Sequence, residues 1–416
     1  MSRDAVLPSS AQTTAACWLS IVGIGEDGAD GLTARARALI AEAELVAGGA
    51  RHLQLAAGLI HGTALAWPSP LQAAFPTLLA RRGRPVVVLA SGDPFHYGIG
   101  QHLTGLVGPG EWQCVPQPGA FSLAAARLGW PLQDTALVSL HGRSLAGVIR
   151  HLQPGARLLA LSWDGRTPAA LAELLAARGL GESPVTVLES LGGPRERIRR
   201  QTALAFALDS IDPLNLVAVE VAAGRDSRIV GLAAGRADDL FENDGQLTRR
   251  MIRAVTISSL APRRGELLWD VGLGAGSVAI EWLLTDPSLR AIGIEAREDR
   301  ALRAGRNAAA FGVPGLDIVT GRVPAALAGL EAPDAIFVGG GLAAPGVLEA
   351  VWASLKPGGR LVANAVTLET EAILLDGYAR LGGELVRLEM ARAEAVGPRQ
   401  GWRPAMPILH WRVTKP

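Results

Sequence analysis

Short apolar runs without alternation recur along the chain, most of them followed by a glycine-bearing polar turn and then an amphipathic stretch. Val86-Val87-Val88-Leu89 and Leu267-Leu268-Trp269 are of this kind. Such a run predicts a strand covered on both faces, as in a parallel sheet. On this pattern strands are expected over residues 18–22, 45–47, 85–90, 135–140, 157–162, 185–189 and 214–221. Helices are expected from near Leu32-Thr33, over 123–128 with Ser122 as its cap, and over 168–178. The arginine-rich segment after Gly192-Gly193-Pro194 receives no element. The second half alternates more regularly: helix 251–260, strand 267–271, helix 277–284, strand 291–295, helix 297–311, strands 316–320 and 334–338, helix 344–355, strand 360–363 and helix 371–381. Strands 384–389 and 408–413 close the chain as an antiparallel edge. Strands alternating with helices define an α/β protein. The expected divisions are a lead-in of small and polar residues, 1–17, a first domain 18–222, a linker 223–237 and a second domain 238–416.

The most informative turn follows the strand at 267–271. Asp270-Val271-Gly272-Leu273-Gly274-Ala275-Gly276 places glycine at every second position, where a bulky ligand must approach the backbone closely. About twenty residues on, Gly293-Ile294-Glu295 ends a strand in a carboxylate, where an open α/β sheet would grip a ribose. A dinucleotide fingerprint wants glycine at 277, but Ser277 stands there. The spacing instead follows the first motif of S-adenosylmethionine methyltransferases. The first half holds a literal G-x-G-x-x-G, from Gly23 to Gly28. Its next strand ends in Gly48-Gly49 without an acid, which speaks against a nicotinamide site. Ser91-Gly92-Asp93-Pro94 sits at the end of another strand, where ligands bind in such sheets or where the chain simply turns.

Composition narrows the classes. Apolar content of 49%, charge of 19% and a net charge of +1 describe a globular protein with no general attraction for nucleic acid or acidic membranes. No apolar run approaches a membrane span, and the lead-in lacks a basic-then-apolar signal pattern, so a cytoplasmic protein is expected. Two distant cysteines, Cys17 and Cys114, fit reduced thiols, and the seven histidines lack ligand spacing, so no metal is expected. Lys356 and Lys415 are the only lysines, leaving 38 of the 40 basic residues as arginine. Genomic composition accounts for that bias, or guanidinium forks serve a polycarboxylate substrate.

Val22-Gly23-Ile24-Gly25 with Leu32-Thr33, Ser91-Gly92-Asp93-Pro94 with Tyr97-Gly98, and Pro118-Gly119 with Ser122 together resemble the tetrapyrrole methylases of corrin biosynthesis. The resemblance covers residues 18–222 and implies two α/β lobes with S-adenosylmethionine folded against Gly92, Asp93 and Pro94, near Tyr97 and Ser122. Glu26-Asp27 replaces the proline usual in the first loop. The second half is similar to the decarboxylating precorrin methyltransferases. The carriers are Leu247-Thr248-Arg249-Arg250, the glycine loop, Gly321-Arg322-Val323-Pro324, Asp334 to Gly341, and Asn364-Ala365-Val366-Thr367-Leu368-Glu369-Thr370. That likeness implies a Rossmann-like seven-stranded class I methyltransferase fold. Thr248, Gly272, Leu273, Gly274, Ala275, Gly276, Glu295 and Val323 would touch the cofactor.

The fusion implies a bifunctional C-methyltransferase, with one S-adenosylmethionine site per domain, acting on carbons 5 and 15 of a corrin precursor. It would also remove carbon dioxide from the ring C acetate. Division of labour would give carbon 15 and decarboxylation to the second domain and carbon 5 to the first. Asn364, Thr367, Glu369 and Thr370 offer polar groups on the substrate side, although Thr367 to Thr370 equally suit a helix cap. His96 and Tyr97 would shape the first pocket or serve only as packing. Partners are then a polycarboxylate tetrapyrrole, no nucleic acid, no membrane, and further copies of the chain. The alternative is one active domain beside a non-catalytic N-terminal module. A nucleic-acid methyltransferase is disfavoured because Gly339-Gly340-Gly341 stands where an Asn/Asp-Pro-Pro-aromatic segment would lie.

Overall fold

The structure is a computed structural model that describes residues 17–416. All of the expected lead-in except Cys17 lies outside the described residues. The chain packs as two compact units, one of residues 17–143 with 154–228, the other of Ser144–Gln153 with Ile229–Pro416.

The first unit contains two five-stranded sheets. The first is built from β1 (Leu19–Ile24), β2 (Leu45–Gly48), β3 (Thr63–Ala66), β4 (Val86–Ser91) and β5 (Trp112–Val115), in the order β3-β2-β4-β1-β5. All its pairings are parallel, as the unbroken apolar runs demand, and Val86 to Ala90 are buried. The second sheet is built from β6 (Thr135–Ser139), β7 (Arg157–Leu161), β8 (Pro184–Glu189), β9 (Arg197–Thr202) and β10 (Asn215–Glu220), in the order β6-β7-β10-β8-β9. Only β6 and β7 pair in parallel there.

β9 is the arginine-rich segment left without an element. Arg197 and Arg199 share one face, as alternate residues of a strand must, and both clamp the buried Glu189 carboxylate at 2.7–3.2 Å. Burial pushes that carboxyl up, but Arg197, the Asp212 N–H and Arg199 together hold it below the usual range. These two arginines therefore balance an internal charge. Ser122 also differs from expectation: the helix Ala120–Leu128 begins earlier, with Gly119 at its cap position and no side-chain cap, and Ser122 lies exposed in its first turn.

The second unit is a seven-stranded sheet. It comprises β11 (Leu267–Val271), β12 (Arg290–Glu295), β13 (Asp317–Thr320), β14 (Ala335–Val338), β15 (Arg360–Ala365), β16 (Glu384–Leu388) and, beyond an exposed hairpin of β17 (Ala391–Val396) and β18 (Arg399–Pro404), β19 (Ile408–Thr414). The order is β13-β12-β11-β14-β15-β19-β16, parallel through β15, with β19 and β16 antiparallel. The order reverses between β11 and β14, so the ends of these strands form the switch point at which such sheets bind ligands. Trp269, Trp282 and Trp411 are fully buried in this unit. Trp411 packs so closely on the helix Leu368–Leu381 that only glycine fits at 377, where a Cβ would lie 2.9 Å from the indole. Among the described residues no helix is long and apolar enough to cross a membrane, and Cys17 and Cys114 are free.

Candidate functional site

In the second unit the site is assembled at the ends of β11, β12 and β14. Gly272, Gly274 and Gly276 all take left-handed backbone conformations, with φ of 77°, 55° and 77°. Gly272 is also tightly enclosed: a Cβ there would stand 2.6 Å from the backbone of Gly340. The 339–341 turn is fixed beneath it, since the Gly339 and Gly340 N–H groups both donate to the Val271 carbonyl. Gly274 by contrast is open, its nearest neighbour being the Gln246 carbonyl.

Two carboxylates control this turn. Asp270, on β11 and 1% exposed, accepts the Ala279 N–H at 2.9 Å and so satisfies the first turn of the helix Ser277–Thr285. Burial raises the Asp270 carboxyl to about 7, the Ala279 N–H opposes that rise, and the charge of Glu295 adds to it. Glu295, at the tip of β12, accepts the Gly274 N–H at 2.8 Å and the Arg297 N–H at 3.0 Å. Each of its oxygens keeps a lone pair for a further donor. An open face over Gly274, flanked by a carboxylate, fits the ribose end of a nucleoside.

The segment leading into the helix Arg250–Leu260 is held by residues that sequence reasoning missed. Arg253 is wholly buried; it donates to Glu281 at 2.7 Å, to Asp238 at 3.1 Å and to the carbonyls of Thr248 and Arg236. Its guanidinium also lies over the Phe241 ring. Glu281 further accepts the Gly235 and Arg236 N–H groups, which ties part of the expected linker into this unit. Asn307 joins the same segment to the glycine loop, bonding both backbone groups of Glu242 and the Ala275 carbonyl at 2.9 Å. Arg300 and Arg303 reach Asp244; burial pushes that carboxyl up, but the Gln246 N–H and Arg300 overcome it and leave it at about 2. No motif marks Arg253 or Asn307, because their partners are distant in sequence.

The candidate residues are thus brought together unequally. Glu295, Gly272 and Gly274 meet at one edge, and Val323 borders Gly341. Leu273 and Ala275 are buried; the Leu273 side chain fills the space over Gly293, and its N–H and carbonyl bond Ile294 and Gly276. Thr248 has its carbonyl engaged by Arg253. Asn364, at the end of β15, donates to Thr256 at 3.0 Å and meets His410 Nδ1 at 2.7 Å, while His410 Nε2 meets Ser259 at 2.8 Å. Thr367 and Thr370 form a reciprocal capping box for the helix Leu368–Leu381, which starts three residues earlier than expected. Glu369 is held below the usual carboxylate range by its own N–H and the Thr367 hydroxyl.

In the first unit the ends of β1 and β4 and the turn before the helix Ala120–Leu128 are pressed together by glycine. A Cβ on Gly23 would overlap the Gly92 carbonyl, and one on Gly92 would lie 2.5 Å from Gly119. The first glycine of the G-x-G-x-x-G stretch therefore serves backbone packing. Asp93 accepts the Phe95 N–H at 2.9 Å and shapes the turn. Tyr97 stacks on His96 and its hydroxyl donates to the Leu137 carbonyl at 3.2 Å, beside β6 of the other lobe. A cleft opens here, lined by Glu26, Arg51, Ser91, Pro118, Leu188 and Asn215 among others. Ser122 is not among its lining residues. Among the described residues no group of three His, Cys, Asp or Glu side chains could hold a metal ion.

Each of the two α/β units matches a methyltransferase family, which makes the chain a methyltransferase. Residues 19–206 match the family described as tetrapyrrole (corrin/porphyrin) methylases, and residues 239–415 match the precorrin methyltransferase domain. Over 398 residues the chain is 57% identical to a precorrin-6Y C(5,15)-methyltransferase (decarboxylating) of a Sinorhizobium species, covering 96% of each chain. It belongs to that family. Shorter relatives include a cobalt-precorrin-7 C(5)-methyltransferase of Salmonella typhimurium, 35% identical over 192 residues (43% of this chain, 88% of the relative). A probable cobalt-precorrin-6B C(15)-methyltransferase (decarboxylating) of Saccharolobus solfataricus is 36% identical over 162 residues, 38% of this chain and 80% of the relative.

Proposed function

We propose that this protein methylates precorrin-6Y at carbons 5 and 15 and removes the ring C acetate carboxyl, giving precorrin-8X, with one S-adenosylmethionine site in each unit. The observation that carries the reading is 57% identity to a named C(5,15)-methyltransferase along nearly the whole chain. Relatives of single-domain length carrying the C(5) and C(15) names separately support a division of labour. In it the first unit acts at carbon 5, and the second acts at carbon 15 and in decarboxylation.

S-adenosylmethionine supplies an electrophilic methyl group when bound. In the second unit Glu295 would hold the ribose hydroxyls, and Gly274 and Gly340 would let the ligand lie against bare backbone. In the first, the turn at Gly92, Asp93 and Pro94 would do the same. The protein's part is mainly to hold an electron-rich macrocycle carbon in line with the methyl and to keep water out. Conjugated imines of the substrate can take up the electrons released with carbon dioxide, so no further cofactor is required. Self-association and a cytoplasmic location belong to the same proposal.

Mass spectrometry of the full chain incubated with precorrin-6Y and S-adenosylmethionine tests the function: gain of two methyls and loss of one carbon dioxide is expected. Asp93→Ala should leave a decarboxylated product lacking only the carbon 5 methyl, and Glu295→Gln should slow the carbon 15 events. Loss of carbon 15 methylation in the Asp93 variant would reverse the assignment.

A further inference from the structure

Ser91, at the end of β4, is an exposed residue of the first unit's cleft, immediately before Gly92. Behind it, on the helix Ala50–Leu55, stand Arg51 and His52. His52 Nε2 lies 2.8 Å from Ser91 Oγ and 3.0 Å from Arg51 Nη2, and that same Nη2 donates to Ser91 Oγ at 3.0 Å. Arg51 is itself paired with Glu26, and Arg195 bridges Glu26 and Asp212 nearby. A guanidinium can only donate, so Nε2 must present its lone pair and the imidazole proton must sit on Nδ1, which is buried without a hydrogen-bond partner. Nε2 has one lone pair for two neighbouring donors, and the Ser91 hydroxyl takes it at the shorter distance, 2.8 Å, while Arg51 Nη2 donates to one lone pair of Oγ and the other faces the cleft. A hydroxyl backed by an unprotonated imidazole is the arrangement of a group poised to take up a proton.

Replacing hydrogen by methyl on a macrocycle carbon requires such a group. As the carbon–methyl bond forms and the sulfur–methyl bond breaks, the ring becomes cationic; the C–H electron pair returns to it when the proton leaves. We infer that Ser91 and His52 form the proton exit of the first unit: Ser91 Oγ accepts the carbon-bound proton and passes its own to His52 Nε2. After the product leaves, the imidazolium returns the proton through Ser91 Oγ to water in the cleft. Burial first, and the Arg51 charge second, lower the His52 imidazole to about 4, so the proton does not linger there. Weak basicity suffices because the methylated cation is a strong carbon acid. The inference rests on the reading that the first unit acts at carbon 5.

The test uses the full chain with precorrin-6Y deuterated at its meso carbons. Ser91→Ala and His52→Asn should lower kcat for carbon 5 methylation by about 10²–10³, with KM little changed, and Ser91→Thr should restore most of the loss. The deuterium isotope effect on that step should be small in the native chain and rise in Ser91→Ala, while carbon 15 methylation and carbon dioxide release stay unaltered. Nitrogen-15 spectra of the donor-free chain should show His52 as the Nδ1–H tautomer, neutral down to about pH 4. Carbon 5 methylation at the native rate in Ser91→Ala, or slowed with no rise in isotope effect, overturns the relay, as does a proton on Nε2. If Asp93→Ala stops carbon 5 methylation and Ser91→Ala does not, only the relay falls. If neither affects it, the assignment of carbon 5 to this unit falls too.

Discussion

The Arg253 guanidinium and the Glu281 carboxylate meet at 2.7 Å with neither side chain reaching solvent. They join the helix that follows the glycine loop to the helix preceding β11, and Arg253 simultaneously holds the Thr248 carbonyl. Removing one partner of a buried pair leaves an uncompensated charge, which costs about 3–5 kcal/mol. Arg253→Met should therefore markedly lower the calorimetric unfolding temperature of the second unit in the full chain. A shift no larger than that of a surface arginine variant such as Arg166→Met would show that the pair is dispensable.

Glu295→Gln can keep the Gly274 N–H bond through its amide oxygen but turns an NH2 toward the Arg297 N–H, and it loses the charge available to a ribose. Charge-assisted hydrogen bonds contribute about 1.5–3 kcal/mol, so affinity of the second-unit site for S-adenosylmethionine should fall about 10- to 100-fold. Titration calorimetry resolves this against the first-unit site, which should not change.

The glycines at 272 and 274 should respond differently to alanine. Gly272→Ala meets both a left-handed φ and the Gly340 backbone at 2.6 Å, so it should abolish donor binding to the second unit or prevent its folding. Gly274→Ala meets open space and only the strain of its φ, a cost of about 1–2 kcal/mol. Thermal unfolding of the two variants should rank them in that order.

Asp270 should make the second unit less stable as pH rises. Its folded carboxyl titrates at about 7 against 3.8 when unfolded, so its contribution is fully present below about 4 and is lost as pH rises through 7. That span corresponds to about 4 kcal/mol at most. Asp270→Asn keeps an acceptor for the Ala279 N–H, so it should flatten stability between pH 4 and 7 and raise it at pH 8. Urea unfolding of both chains across that range checks the sign.

Strands such as β4 and β11 were legible because burial on both faces leaves an apolar run, and Gly272 to Gly276 because a backbone that must turn left-handed excludes most side chains. Glu295 was legible from its place at a strand tip. β9 was not, since its arginines pair with Glu189 and Glu220 instead of packing among hydrophobics. The β17–β18 hairpin is exposed throughout apart from one half-buried glycine, so the alternation of alanine with Arg392 and Glu394 in β17 marks no buried face. Arg253, Asn307 and the Ser91–His52 contact depend on chain segments meeting in space. A polar residue's partner 28 or 65 positions away leaves no periodic trace.

The ten residues Ser144–Gln153 are covalently bracketed by the first unit yet pack with the second, where Val148, Ile149 and Leu152 are buried and Gly312 approaches Ala146 too closely to carry a side chain. The polypeptide therefore crosses from one body to the other three times. No single cut divides it cleanly: a C-terminal fragment would lack this segment and bare the surface on which it sits, and an N-terminal one would carry the segment's apolar side chains uncovered. Point substitution keeps this lent segment in place, so it separates the roles of the two units where truncation would remove part of one of them.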